Sequence, residues 1–80
     1  MKIQLFDRGS PQGKQLFSYI ETICKRYQVD YDPEYIKDMS QVYNRGLQGK
    51  TVLLIDNRVV LVDEFPSPQE LEETISDYIK

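Results

Sequence analysis

An apolar run from Lys2 to Asp7 breaks at Arg8-Gly9-Ser10-Pro11, and beyond the break apolar residues recur at spacings of one, three and four. That change of period constrains the fold more than any other feature. A strand that feeds straight into an amphipathic helix must lay the helix back on its own sheet, which begins a layered α/β domain. The helix is expected from about Pro11 to Arg26 or Tyr27, with Ser10 as N-cap. Pro11 then occupies the first helical position, where a missing N–H costs nothing. Leu16, Phe17, Ile20, Ile23, Cys24 and Tyr27 form its buried stripe.

Three further strands and two further helices follow. A second strand is placed within Val29–Ile36, where Val29 and Tyr31 alternate with Asp30 and Asp32, and Pro33 demands an edge position or a bulge. A short helix capped by Asp38 comes next, with Gln41 three residues on as in a capping box. It places Met39, Val42 and Tyr43 on one side, and Gly46 stops it. Thr51–Ile55 and Val59–Asp63 read as a hairpin about Asp56-Asn57-Arg58, with Asn57 left-handed and both strands buried on two faces. Ser67-Pro68-Gln69-Glu70 is a capping box that opens a last helix, with Leu71, Ile75, Tyr78 and Ile79 as its stripe. The order βαβαββα predicts a four-stranded mixed sheet with helices on both faces, and residues 1–80 are expected to form one domain.

Composition narrows the function classes. Eighty residues with one cysteine, Cys24, and no histidine rule out an internal disulfide framework and the usual zinc ligand sets. The domain must then hold together through its core, for which a hydrophobic content of 40% suffices. A net charge of −3 argues against general nucleic-acid binding, which needs a basic surface. The acid is concentrated late: Asp63, Glu64, Glu70, Glu72, Glu73 and Asp77 face only Lys80. No apolar stretch reaches the ~18–20 residues of a membrane span, and the start is too interrupted for a signal peptide. No membrane association and a cytoplasmic location are expected, and no cofactor or metal motif is present.

Taken in order, several segments resemble the small redox-active-disulfide, thioredoxin-like proteins of bacteria and archaea. They are the strand before Gly9-Ser10-Pro11-Gln12-Gly13, the Leu16 helix, the Gly46 turn, Val52-Leu53-Leu54-Ile55-Asp56-Asn57-Arg58-Val59-Val60, and Pro66-Ser67. The resemblance covers nearly the whole chain and implies the minimal thioredoxin fold. It also implies cysteines at the positions of Ser10 and Gly13, and a Thr-Pro dipeptide with a cis proline where Lys50-Thr51 stands. The chain departs from the family at all three places. Threonine in place of that proline is expected to follow an ordinary trans peptide.

These departures lead to the expectation of a redox-inactive, non-enzymatic domain, a protein-interaction or structural module with a protein partner. Two alternatives are a binder of a small anionic or glutathione-like ligand, and an enzyme whose Ser10 activates a thiol ligand by hydrogen bonding. The candidate binding residues are Arg8, Gly9, Ser10, Pro11, Gln12, Gly13, Lys14, Lys50 and Thr51, grouped at the N-terminus of the first helix, where free N–H groups and bases attract anions. Gly13 is read as a gap through which another backbone or a ligand approaches the first turn. Cys24, on the apolar face of the helix, reads as a small hydrophobe. Tyr19, Tyr31, Tyr35 and Tyr43 exceed what so small a core can bury, which favours a binding surface.

Overall fold

The computed structural model describes residues 1–27 and 32–79. The elements are β1 (Ile3–Asp7), α1 (Pro11–Arg26), β2 (Glu34–Ile36), α2 (Ser40–Asn44), β3 (Thr51–Ile55), β4 (Arg58–Val62) and α3 (Pro68–Ile79). Their order is the expected one. The sheet runs β2-β1-β3-β4, with β1 parallel to β2 and antiparallel to β3, and β3 antiparallel to β4. Of the second-strand segment, Val29, Asp30 and Tyr31 lie outside the described residues. The observed part begins just after Pro33 and sits at the sheet edge, where a residue without an N–H is tolerated.

Strand alternation divides the core in two. Ile3, Leu5, Leu53, Ile55 and Leu61 pack with Leu16, Ile20, Ile23 and Cys24 of α1 and with Leu71 and Ile75 of α3. Phe6, Val52 and Leu54 point the other way, against Met39 and Val42 around α2. Helices therefore cover both faces. Burying a side chain such as Leu5, Phe6 or Leu53 is worth roughly 1.5–3 kcal/mol relative to leaving it exposed. The two central strands carry most of that burial, since every residue of β1 and β3 is buried.

Local signals set the boundaries. Ser10 caps α1, its Oγ accepting from the Gly13 N–H at 3.0 Å, while Lys25 and Arg26 in the last turn suit the helix dipole. Ser67 and Glu70 exchange the two hydrogen bonds of a capping box, each 3.3 Å. Asp56 and Asn57 both take positive φ, 51° and 67°, which makes the hairpin a two-residue turn whose twist matches its strands. Gly46, at φ 77°, follows α2.

Several expectations are corrected. The α2 N-cap is Met39 rather than Asp38, although Asp38 Oδ1 still accepts from the Ser40 N–H at 3.0 Å. β4 is not buried on two faces: it is an edge strand, with Val59 exposed and a bulge opposite Leu53 and Leu54. Tyr27, Tyr43 and Tyr78 are exposed rather than part of their helices' buried stripes, and Phe17 is only partly buried. A long phenol at the margin of a stripe keeps its hydroxyl wet at little cost in apolar contact. The side chain of Ile79 lies outside what is described.

Candidate functional site

β1 ends on Asp7, and the same alternation that turns Ile3 and Leu5 toward α1 turns Asp7 that way too. Its side chain lies directly beneath the first turn of α1, only 1% exposed. An isolated carboxylate there would be prohibitive. This one accepts five hydrogen bonds: Oδ2 from the Gly9 N–H (3.0 Å), the Ser10 N–H (2.8 Å) and the Tyr35 hydroxyl (2.6 Å), and Oδ1 from the hydroxyls of Ser10 (2.9 Å) and Thr51 (2.6 Å). Burial by itself would raise the carboxyl's pKa. The donors, Thr51 and Tyr35 foremost, then Ser10 and Gly9, outweigh it and bring the group down to about 2. Burial, joined by the hydrogen bond and charge of Asp7, pushes the Tyr35 phenol up to about 12.

Asp7 also explains Gly13. A Cβ placed on Gly13 would lie 2.2 Å from the Asp7 Cγ and 2.2–2.5 Å from its oxygens. The neighbour that approaches the first turn is thus this carboxylate, not another backbone or a ligand. A side chain at position 13 and the present position of Asp7 exclude each other.

Bookkeeping of protons then limits what the site can do. A hydroxyl has one proton to give. Those of Ser10, Thr51 and Tyr35 all go to Asp7. Ser10 consequently has no hydrogen bond to donate to a bound thiolate, which removes the expected mode of thiol activation. The Gly9, Ser10 and Gly13 N–H groups at the start of α1 are likewise engaged, by Asp7 and by the Ser10 cap. Three of the N–H groups that the sequence suggested for an anion are thus occupied from within the chain.

Positive charge at the site comes from side chains. The Arg8 guanidinium lies 5.9 Å above the Tyr43 ring and its Nη2 donates to the Tyr43 hydroxyl at 3.3 Å. Exposed Tyr43 therefore works as a support for Arg8. Lys50 and Thr51 are pinned through their backbone N–H groups to Asp63 Oδ1, at 2.8 and 2.9 Å, and no described peptide bond is cis. Arg8, Ser10 and Lys50 line one concavity of about 280 Å³ with Asp7 and Tyr43. Ser10, Gln12, Lys50 and Thr51 line a second, of about 350 Å³, with Asp63 and Phe65.

Of the nine candidates, the structure thus brings Arg8, Ser10, Gln12, Lys50 and Thr51 around adjoining hollows. Gly9 and Gly13 contribute backbone N–H groups beneath them. Pro11 and the Lys14 side chain are exposed on the first turn and line neither hollow. Sequence reasoning missed Asp7, Asp63 and Phe65, and it singled out Tyr35 and Tyr43 as surface tyrosines without their roles as donor to Asp7 and support for Arg8. For Asp7 a signal was present: an acidic residue closing an apolar strand just before an N-cap, with glycine three residues past that cap.

Cys24 is buried among the α1 core residues, and burial, with the nearby Glu21 charge, raises its pKa. It lies ~21 Å along α1 from Ser10. Among the described residues no group of three or more His, Cys, Asp or Glu could hold a metal ion. None of their helices is long and apolar enough to cross a membrane.

No family model matches the chain. It is 26% identical over 76 residues to a curated protein named thioredoxin from Methanothermobacter thermautotrophicus, an alignment covering 95% of this chain and 99% of that one. Among solved structures, thioredoxin 1 of the thermophilic eubacterium Thermosipho africanus matches with a TM-score of 0.62 at 21% identity, over 99% of this chain and 94% of that chain. The fold is thioredoxin-like, as the resemblance implied. The expectation of a redox-inactive, non-enzymatic module is overturned by the likeness, along nearly the full chain, to a protein named thioredoxin.

Proposed function

With a thioredoxin-like fold as its frame, we propose that this chain acts in thiol–disulfide exchange as one domain, the exchanging sulfurs being supplied by the molecules it binds. The observation that carries the reading is the likeness to a thioredoxin over 95% of the chain. Ser10 and Gly13 stand where the resemblance implies a pair of cysteines, and Cys24 is buried far along α1, so the chain brings no sulfur of its own to this end. Its part is to bind and orient.

Arg8 and Lys50 supply the chemistry. A cation within about 4–6 Å of a thiol favours the thiolate, which is the attacking species. A small thiol held between them loses its proton to solvent and attacks one sulfur of a disulfide in a bound polypeptide. The S–S bond breaks, a mixed disulfide forms, and the other sulfur leaves as thiolate. A second small thiol then resolves the mixed disulfide. Ser10, its proton committed to Asp7 and one lone pair to the Gly13 N–H, keeps one lone pair to accept from a substrate N–H group. A reducing compartment rich in small thiols suits this scheme, which is the cytoplasmic setting.

The test is the reduction of insulin disulfides by glutathione. The rate should rise when the protein is added, persist in Cys24→Ser, and fall back in Arg8→Glu combined with Lys50→Glu. Equal rates with and without protein overturn the proposal, as does loss of the acceleration in Cys24→Ser.

A further inference from the structure

Asp63, the residue after β4, has a φ of 53°, in the left-handed region that glycine adopts without steric cost and few other residues tolerate. Its side chain supplies what glycine could not. The Asp63 N–H donates to the Thr51 carbonyl at 2.8 Å, and the carboxylate folds back so that Oδ1 accepts from the N–H groups of Lys50 and Thr51, at 2.8 and 2.9 Å. One residue thus makes three hydrogen bonds to a two-residue segment. Gly49 lies equally close: a Cβ there would meet Val62 Cγ1 at 2.9 Å and Asp63 Oδ2 at 3.5 Å. Residues 49–51 are therefore seated on the end of β4. Thr51 is held from a second side, where its hydroxyl donates to Asp7 at 2.6 Å.

The side chain that these contacts aim is that of Lys50. β3 begins only at Thr51, so Lys50 stands outside the strand, exposed, with its backbone N–H held by Asp63. It lines both hollows of the site. Neither Lys50 nor Asp63 takes part in an ion pair among the described residues. Asp63 therefore acts on Lys50 through the backbone and not by engaging its ammonium. We infer that Asp63 is a positioning residue for thiol–disulfide exchange, holding the Lys50–Thr51 backbone so that the Lys50 ammonium stays where a bound thiol gives up its proton. That role rests on the exchange reading above. A cation favours a thiolate only within about 4–6 Å, so a Lys50 released from its seat loses its effect.

Variants separate positioning from a merely structural role. Asp63→Gly keeps the backbone conformation and removes the acceptor, whereas Asp63→Asn keeps both, since an amide retains one acceptor oxygen. Acceleration of insulin reduction by glutathione should fall roughly fivefold in Asp63→Gly, the scale of one exposed charge contact, and stay near the parent's in Asp63→Asn. In a Lys50→Ala background, itself slower, Asp63→Gly should cause no further loss. Amide hydrogen exchange at Lys50 and Thr51, followed by NMR, should quicken about tenfold in Asp63→Gly and not in Asp63→Asn, with circular dichroism confirming each fold. Full acceleration in Asp63→Gly, unchanged amide exchange, or a second loss on top of Lys50→Ala overturns the inference and leaves exchange standing. Should Asp63→Gly fail to fold, a marked loss of acceleration in folded Asp63→Asn overturns it as well. A parent protein that does not accelerate insulin reduction rejects the exchange reading, and this role with it.

Discussion

Replacing Asp7 by asparagine tests the centre of the site directly. The carboxylate accepts two hydrogen bonds at Oδ1 and three at Oδ2. An amide keeps one acceptor oxygen and turns two donors toward groups that already donate. At least two buried donors lose their acceptor, at about 1–3 kcal/mol each. A total of about 3 kcal/mol would lower Tm by about 12–24 °C in a domain of this size. The pH dependence isolates the charge. The folded pKa is about 2 against a reference of 3.8, and a shift of this size corresponds to about 2–3 kcal/mol. Because the folded value is the lower one, this stabilisation is fully present above about pH 4–5 and is lost as pH falls toward 2. Urea unfolding of parent and Asp7→Asn across that range should therefore show a stability gap that narrows by about 2 kcal/mol on acidification. The other carboxylates titrate in both proteins and cancel in the difference. A gap that does not change with pH, or a variant as stable as its parent, would refute the reasoning.

Gly13→Ala should destabilise by about 1–3 kcal/mol in the parent and by less in an Asp7→Ala background, a coupling that a double-mutant cycle in urea would quantify. Ser10→Cys with Gly13→Cys should be poorly tolerated while Asp7 is present. With Asp7→Gly added, the two thiols, one helical turn apart, should oxidise to an intramolecular disulfide, and failure of a folded triple variant to do so would count against the steric account. Cys24 should label slowly with a thiol reagent in the native protein and rapidly in denaturant; equal rates would mean that the α1 face is misassigned. Asn57→Ala should cost about 1–2 kcal/mol because its φ is positive, whereas Asn57→Gly should cost little.

The elements that sequence alone determined are those specified within a few residues of themselves. The break at Arg8-Gly9-Ser10-Pro11, the Ser67–Glu70 capping box and the Asp56-Asn57 turn each act over one to four positions, and each stands where it was read. Apolar period did the rest for β1, β3, α1 and α3. It failed at the margins: nothing local distinguishes a valine of central β3 from Val59 of edge β4, because only the sheet order decides which strand is covered on both sides. The same holds for Tyr27, Tyr43 and Tyr78, whose helices were foreseen but whose rings stay exposed.

Ser10, Gln12, Lys50 and Thr51 were legible as site candidates because a strand-to-helix junction is a recognisable place. The chemistry of that place was not. Asp7 draws donors from Tyr35, 28 positions away, and from Thr51, 44 positions away, and these meet only because β1 lies between β2 and β3. That meeting turns an unremarked strand-end residue into a buried anion, spends the hydroxyl protons of Ser10, Thr51 and Tyr35, and dictates glycine at position 13. Local sequence can specify where a chain turns and which face it buries, since those preferences are short-ranged. Which lone pairs and protons remain free at a site depends on hydrogen bonds between distant segments, and only the tertiary structure sets those.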